Sequence, residues 1–177
     1  AGFLPQLETN RGCPYSCTFC DYGPAYRTKL NRRDEEIVME ELRYLSRNSR
    51  TPELSITDAN FGILGERDLR IAEYMLKLYR DCGFPYISDW ATAKAKTDVA
   101  IEVQSIVAEI TGSVYFGLQT LTEVALDNAK RKNIPFDAIM DIARQSQRSV
   151  IVDLIFGLPG ETRQSFMDTI STLVNLG

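Results

Sequence analysis

Cys13-Pro14-Tyr15-Ser16-Cys17-Thr18-Phe19-Cys20 packs three cysteines into one short loop with the spacing C-x3-C-x2-C. The loop follows an apolar-polar stretch, about Leu4–Thr9, that reads as a strand. Thiolates are the usual protein ligands of iron–sulfur clusters, and three so close together can hold three irons of a cubic [4Fe–4S] cluster. The fourth iron then has no protein ligand. An iron with open positions can bind a substrate or cofactor, so the loop points to chemistry and not only to electron storage.

Other readings of the cysteines stay open on spacing alone. Disulfides suit small, cysteine-dense chains better than this one. A zinc site drawing on all four cysteines is the more serious alternative, although the second C-x2-4-C pair of a zinc knuckle is missing. An iron–sulfur module that only transfers electrons is the third. The fourth cysteine, Cys82, ends a helical stretch and is expected to be a small buried hydrophobe.

Outward from the loop, strand-like and helix-like segments alternate to the end of the chain. A helix is expected from Arg33 or Asp34 to Arg47, with Val38, Leu42 and Leu45 on one face. Its start, Asp34-Glu35-Glu36, suits the positive end of a helix dipole. Then come a strand Glu53–Thr57, a helix Glu66–Asp81 stopped by Gly83, a strand Tyr86–Thr92 and a helix Asp98–Ile110. Strand Ser113–Leu118 precedes a helix Thr122–Lys132 and a shorter one, Phe136–Gln147. Strand Val150–Phe156 is apolar except for Asp153, as expected where both faces are covered. A last helix, Glu161–Leu176, should turn Phe166, Ile170 and Leu173 inward. Alternation of this kind implies a parallel α/β domain with right-handed crossovers. Periodicity does not say whether its sheet is open or curls into a barrel. Polar and small residues follow the strands at Asp58-Ala59-Asn60, Ala93-Lys94, Gln119-Thr120 and Gly157-Leu158-Pro159-Gly160. Sites of parallel α/β folds sit at those strand ends.

The chain has 177 residues, which fits one domain. A net charge of −4 gives no footprint for nucleic acid or an anionic membrane. No apolar run approaches the ~20 residues of a membrane span, and no signal-peptide pattern opens the chain, so a cytoplasmic protein is expected. Ala1 in place of Met suggests a piece of something longer. Histidine is absent, which removes His-ligated zinc, Ser-His-Asp and Cys-His triads, and histidine acid–base chemistry.

These residues resemble the radical S-adenosylmethionine (SAM) superfamily, whose signature loop is C-x3-C-x-aromatic-C, with Phe19 at the aromatic position. Glu8-Thr9-Asn10-Arg11-Gly12, Asp21-Tyr22-Gly23, Phe116-Gly117-Leu118-Gln119-Thr120 and Ile155-Phe156-Gly157-Leu158-Pro159-Gly160-Glu161-Thr162 extend the resemblance over nearly the whole chain. Asp21-Tyr22-Gly23 and Asp58-Ala59-Asn60-Phe61-Gly62 lean towards members with an upstream cobalamin-binding domain.

The resemblance implies a parallel (β/α)6-type partial barrel, of which residues 1–177 would be the core with about five βα units, the sixth strand and flanking domains lying elsewhere. It implies that a [4Fe–4S] cluster on Cys13, Cys17 and Cys20 binds SAM and reductively cleaves it to a 5′-deoxyadenosyl radical that abstracts hydrogen. Cobalamin-dependent methyl transfer is the leading subclass, with cobalamin bound by a domain outside this chain. An electron donor such as flavodoxin or ferredoxin, and a small-molecule or peptide substrate, would be the partners. By position, Phe19 and the backbone at Tyr22 would meet the adenine, Asp58 and Asn60 the SAM amino group, Gln119 the ribose or amino-acid end, and Arg131 the carboxylate. Ile155 would pack on adenine. The family's G-x-I-x-G-x-x-E pattern is altered here: Asp153 replaces its first Gly, and Glu161 stands one place late.

Overall fold

The computed structural model describes residues 3–22, 28–92, 98–133 and 135–175. In chain order the elements are β1 (Gln6–Leu7), β2 (Asn10–Arg11), β3 (Asn31–Arg32), α1 (Glu35–Asn48), β4 (Glu53–Ile56), α2 (Glu66–Cys82) and β5 (Tyr86–Asp89). There follow α3 (Asp98–Glu109), β6 (Ser113–Gln119), α4 (Glu123–Asn128), α5 (Phe136–Ser146), β7 (Ser149–Leu154) and α6 (Arg163–Val174). Asp34 caps α1 by accepting from the Glu36 N–H at 2.9 Å. Gly83, at a φ of 76°, ends α2 in the left-handed conformation that glycine adopts without strain. Thr162 and Ser165 form a reciprocal capping box at the start of α6.

Strands β1, β4 and β5 pair in parallel, and β6 pairs in parallel with β7. A parallel bridge between Ile87 and Thr111 joins the two groups. Strand order therefore equals chain order. With right-handed crossovers, each helix then falls on the same side of the sheet, which is the geometry of a barrel wall and not of a doubly wound sheet. The main core lies between β1, β4 and β5 and helices α1 to α3, around Leu42, Leu54, Met75, Ile87 and Val103. A smaller core under β6 and β7 centres on Phe116, Leu118, Ile139 and Ile142.

Several expectations need correction. The first strand is only Gln6–Leu7; past it the chain forms an antiparallel ribbon, β2 with β3, that brackets the cysteine loop. Helix α4 stops at Asn128, before Lys130-Arg131-Lys132. Strand β7 alternates exposed and half-buried residues: Val150, Val152 and Leu154 turn to the smaller core while Ser149, Ile151 and Asp153 on the other face are exposed, and its outer edge has no pairing strand among the described residues. On α6 only Thr169 is fully buried, while Phe166, Ile170 and Leu173 are half-buried. Cys82 is exposed, its thiol directed to the Leu78 carbonyl of its own helix at 3.2 Å.

Candidate functional site

The carboxyl ends of β4, β5, β6 and β7 surround a cavity of about 690 Å³, whose wall includes Phe19, Asp58, Trp90, Tyr115, Gln119 and Arg131. Asp89 and Asp153 also open onto it. Alternation along β6 explains its share: Tyr115, Gly117 and Gln119 face the cavity while Phe116 and Leu118 enter the smaller core. A second groove, about 660 Å³ and mainly apolar, lies between α5, β7 and α6 and includes none of the cysteine loop. Of the expected residues, Phe19, Asp58, Gln119 and Arg131 line the first.

The cysteine loop is fixed to the rim from two sides. Within it, the Cys20 N–H donates to the Cys17 carbonyl at 3.1 Å. Across the fold, the Thr18 N–H donates to the Ala129 carbonyl at 3.0 Å, which sets the loop beside the end of α4. Cys13 and Cys17 are buried, with 4% and 3% exposure, and Cys20 is half-buried. All three are free thiols. The Asn60 Nδ2 donates to the Cys13 Sγ at 3.0 Å.

Asp58 is directed into the protein. Its carboxylate accepts from the Thr9 N–H at 2.6 Å, the Thr9 hydroxyl at 2.5 Å, the Asn10 N–H at 3.2 Å and the Asn10 Nδ2 at 2.6 Å. These bonds hold the strand that leads into the cysteine loop. Burial pushes Asp58 up to about 6 from its usual 3.8, against the opposing effect of those donors. Beneath it, the buried Arg67 donates to the Asp68 carboxylate at 2.7 Å and to the Thr9 and Arg33 carbonyls, each at 2.9 Å.

Arg131, 6% exposed, donates through Nε to the Asn133 Oδ1 at 2.8 Å and through a terminal nitrogen to the Gly117 carbonyl. Burial pulls its guanidinium below the usual value, while Cys17 above all, then Cys13 and Cys20, hold it up. Gly117 makes room for the Gln119 amide: a Cβ there would stand 2.7 Å from its Nε2, while the Arg131 guanidinium at 3.6 Å would be in ordinary contact. Gln119 has a φ of 71°, which turns it at the end of β6.

The remaining expected residues fall around this centre. Tyr22 is exposed and is not part of the cavity wall. The Ile155 side chain packs on Ala125, Ala129 and Leu158, and its N–H donates to the Gln119 carbonyl at 2.9 Å. Glu161 accepts from the Thr120 hydroxyl at 2.5 Å and from the Gly157 N–H at 3.3 Å, stapling the turn after β7 to the end of β6. Gly23, Ala93 and Lys94 lie outside the described residues. Sequence reasoning missed Thr9, Asn10, Arg67, Trp90 and Tyr115. Position alone carried a signal for Trp90, which directly follows β5 as Asp58 follows the β4 stretch.

The donor set, three free thiols in one loop, is of the kind that holds an iron–sulfur cluster. A buried N–H on Cys13 and a buried cation beside Cys17 suit sulfurs that carry negative charge. The Asn60 Oδ1 is buried with no partner among the described residues, an acceptor available to an ammonium group.

A family model described as the radical SAM superfamily matches residues 7–173. The chain is 34% identical over 180 residues to the cobalamin-dependent radical SAM methyltransferase TokK of Streptomyces tokunonensis, covering 99% of this chain and 26% of that protein. It is equally similar, 34% over 180 residues, to the 2-(S-pantetheinyl)-carbapenam-3-carboxylate methyltransferase of Streptantibioticus cattleyicolor, again covering 99% of this chain and 26% of the relative. The chain thus spans about a quarter of these relatives' length. Its fold matches the radical S-adenosylmethionine methyltransferase TsrM from Kitasatospora setae, solved with cobalamin and a [4Fe–4S] cluster bound. That match has a TM-score of 0.79 at 19% identity and covers 99% of this chain and 35% of the other.

Proposed function

The chain belongs to the radical SAM superfamily, and from that premise we propose that it forms the core of a cobalamin-dependent radical SAM methyltransferase. One arrangement carries the reading: three free thiols, two of them buried, in a loop whose Phe19 lines a cavity together with Gln119 and Arg131. Cys13, Cys17 and Cys20 would hold three irons and leave the fourth open to SAM. When bound, cluster and SAM supply a low-potential electron and a cleavable sulfonium, the source of a 5′-deoxyadenosyl radical.

The protein's part is binding, orientation and exclusion of water. Phe19 presents a ring to the adenine from the cavity wall. Arg131 supplies a buried fork of donors for the SAM carboxylate, a role that a planar guanidinium fills better than an ammonium. Gln119 addresses the ribose or amino-acid end. Asn60 offers its unpartnered Oδ1 to the amino group. Asp58 anchors the strand before the loop, and Ile155 ties the end of β7 to Gln119. The backbone at Tyr22 would sit against the adenine. Trp90 and Tyr115 close the wall against solvent.

Residues 1–177 would be the barrel core, with a sixth strand and a cobalamin-binding domain contributed by other sequence. The outer edge of β7, without a pairing strand among the described residues, supports that division. The substrate would be a small molecule or peptide, and the reductant a flavodoxin or ferredoxin. Thiols that must stay reduced suit the cytoplasm. No helix among the described residues is long and apolar enough to cross a membrane.

Anaerobic reconstitution with iron and sulfide tests the reading. About four irons per chain should be taken up, and reduction in the presence of SAM should release 5′-deoxyadenosine, measured by chromatography. Cys17→Ala should abolish both. Stoichiometric zinc without iron, or a cluster indifferent to Cys17→Ala, would sink the proposal.

A further inference from the structure

The geometry points to Asn60 as a positioning residue that raises the reduction potential of the cluster through its hydrogen bond to Cys13; this rests on the cluster reading above. The side chain is fully buried, and its Nδ2 reaches the Cys13 Sγ at 3.0 Å across 47 positions of sequence. Only one orientation of the amide is attractive. A thiolate accepts and cannot donate, so the NH2 end must face the sulfur, and that leaves the Oδ1 without a partner among the described residues.

The backbone around Asn60 is held on every side, so the amide cannot follow the sulfur if the charge there changes. Asp58, two residues earlier, is tied to Thr9 and Asn10. The Phe61 N–H donates to the Ala91 carbonyl at 2.9 Å, and the Gly62 and Leu64 N–H groups donate to Asp68 at 2.9 and 3.0 Å. A fixed donor stabilises whichever cluster state carries more negative charge. Reduction adds one electron, shared with the thiolate sulfurs, so the bond strengthens in the reduced state. Hydrogen bonds to the sulfurs are among the levers that set the potentials of such clusters. In a dry site the effect is larger than in water. Arg131 also faces the cysteines, but chiefly Cys17, whereas Asn60 acts on Cys13; both also have a role on SAM, so the potential is read without it.

Potential and stability should move independently. Asn60→Leu removes the donor but also the buried, unpartnered Oδ1, so the fold should lose little and can gain. Asn60→Asp replaces the donor with an acceptor of similar shape. In an EPR-monitored redox titration of the reconstituted chain without SAM, the potential should fall in the order wild type, Asn60→Leu, Asn60→Asp. The expected drop for Asn60→Leu is about tenfold in the reduced-to-oxidised ratio at fixed potential, or about 59 mV for a one-electron couple. Equal potentials in all three proteins overturn the inference. So does loss of the cluster from Asn60→Leu alone, which would make Asn60 an assembly residue. A wild-type chain that takes up no iron overturns the cluster reading instead.

Discussion

Asp58 shows how a carboxylate in a binding cavity can serve the scaffold. Both of its oxygens are occupied by donors from Thr9 and Asn10, and burial pushes it up to about 6. The sign of the pH effect follows from linkage. A carboxyl that holds its proton more tightly folded than unfolded adds stability as the pH falls through its folded value. The gain starts near pH 6, is complete below the unfolded value near 3.8, and is absent above 6. Urea titrations at several pH values should therefore show the stability of wild type relative to Asp58→Asn rising between pH 6 and 4 and flat from 6 to 8. A flat difference throughout would mean that the four donors hold Asp58 at an ordinary value.

At the scale of elements, the cysteine loop depends on a helix that sequence reading assigned only to the core. Arg67, in the first turn of α2, reaches Thr9 beside β2 and Arg33 beside β3, so one guanidinium spans both legs of the ribbon around the loop. Its pairing with the buried Asp68 makes removal costly: Arg67→Met leaves a buried carboxylate without its cation. Breaking such a pair costs about 3–5 kcal/mol. Urea unfolding should show a loss of that size, and the double variant Arg67→Met with Asp68→Leu should recover part of it. A loss under about 1 kcal/mol, the range of exposed pairs, would place the pair outside the load on the fold. None of this was legible beforehand. Nothing in the helical stretch Glu66–Asp81 singled out Arg67 and Asp68, and β2 and β3 have two residues each, too few for a period of two to register. The long helices were legible, since α1 to α3 bury the faces that their spacing marked.

At the scale of the molecule, the two cores are unequal. The one under β1, β4 and β5 gathers α1 to α3, whereas the one under β6 and β7 is smaller and ends at an edge that no strand pairs among the described residues. Local stability follows buried apolar packing. Amides of β4, β5 and α2 should exchange more slowly than those of β7 and α6 in hydrogen–deuterium exchange read by mass spectrometry. Uniform protection would show the halves unfolding as one unit. The apolar run at Val150–Phe156 suggested the opposite for β7, because composition cannot reveal that one neighbour is missing among the described residues.

The sequence by itself determined the cysteine spacing, the alternation of strands and helices, and with them the superfamily. Those signals are local: a loop of eight residues, a period of 3.6, a turn after a strand. Only the tertiary structure decided that Asn60 meets Cys13, that Asp58 faces Thr9 and Asn10, and that Arg131 reaches past Gly117 to the cysteines. Such meetings depend on strand register and side-chain direction across distant segments. No local pattern of residues encodes them.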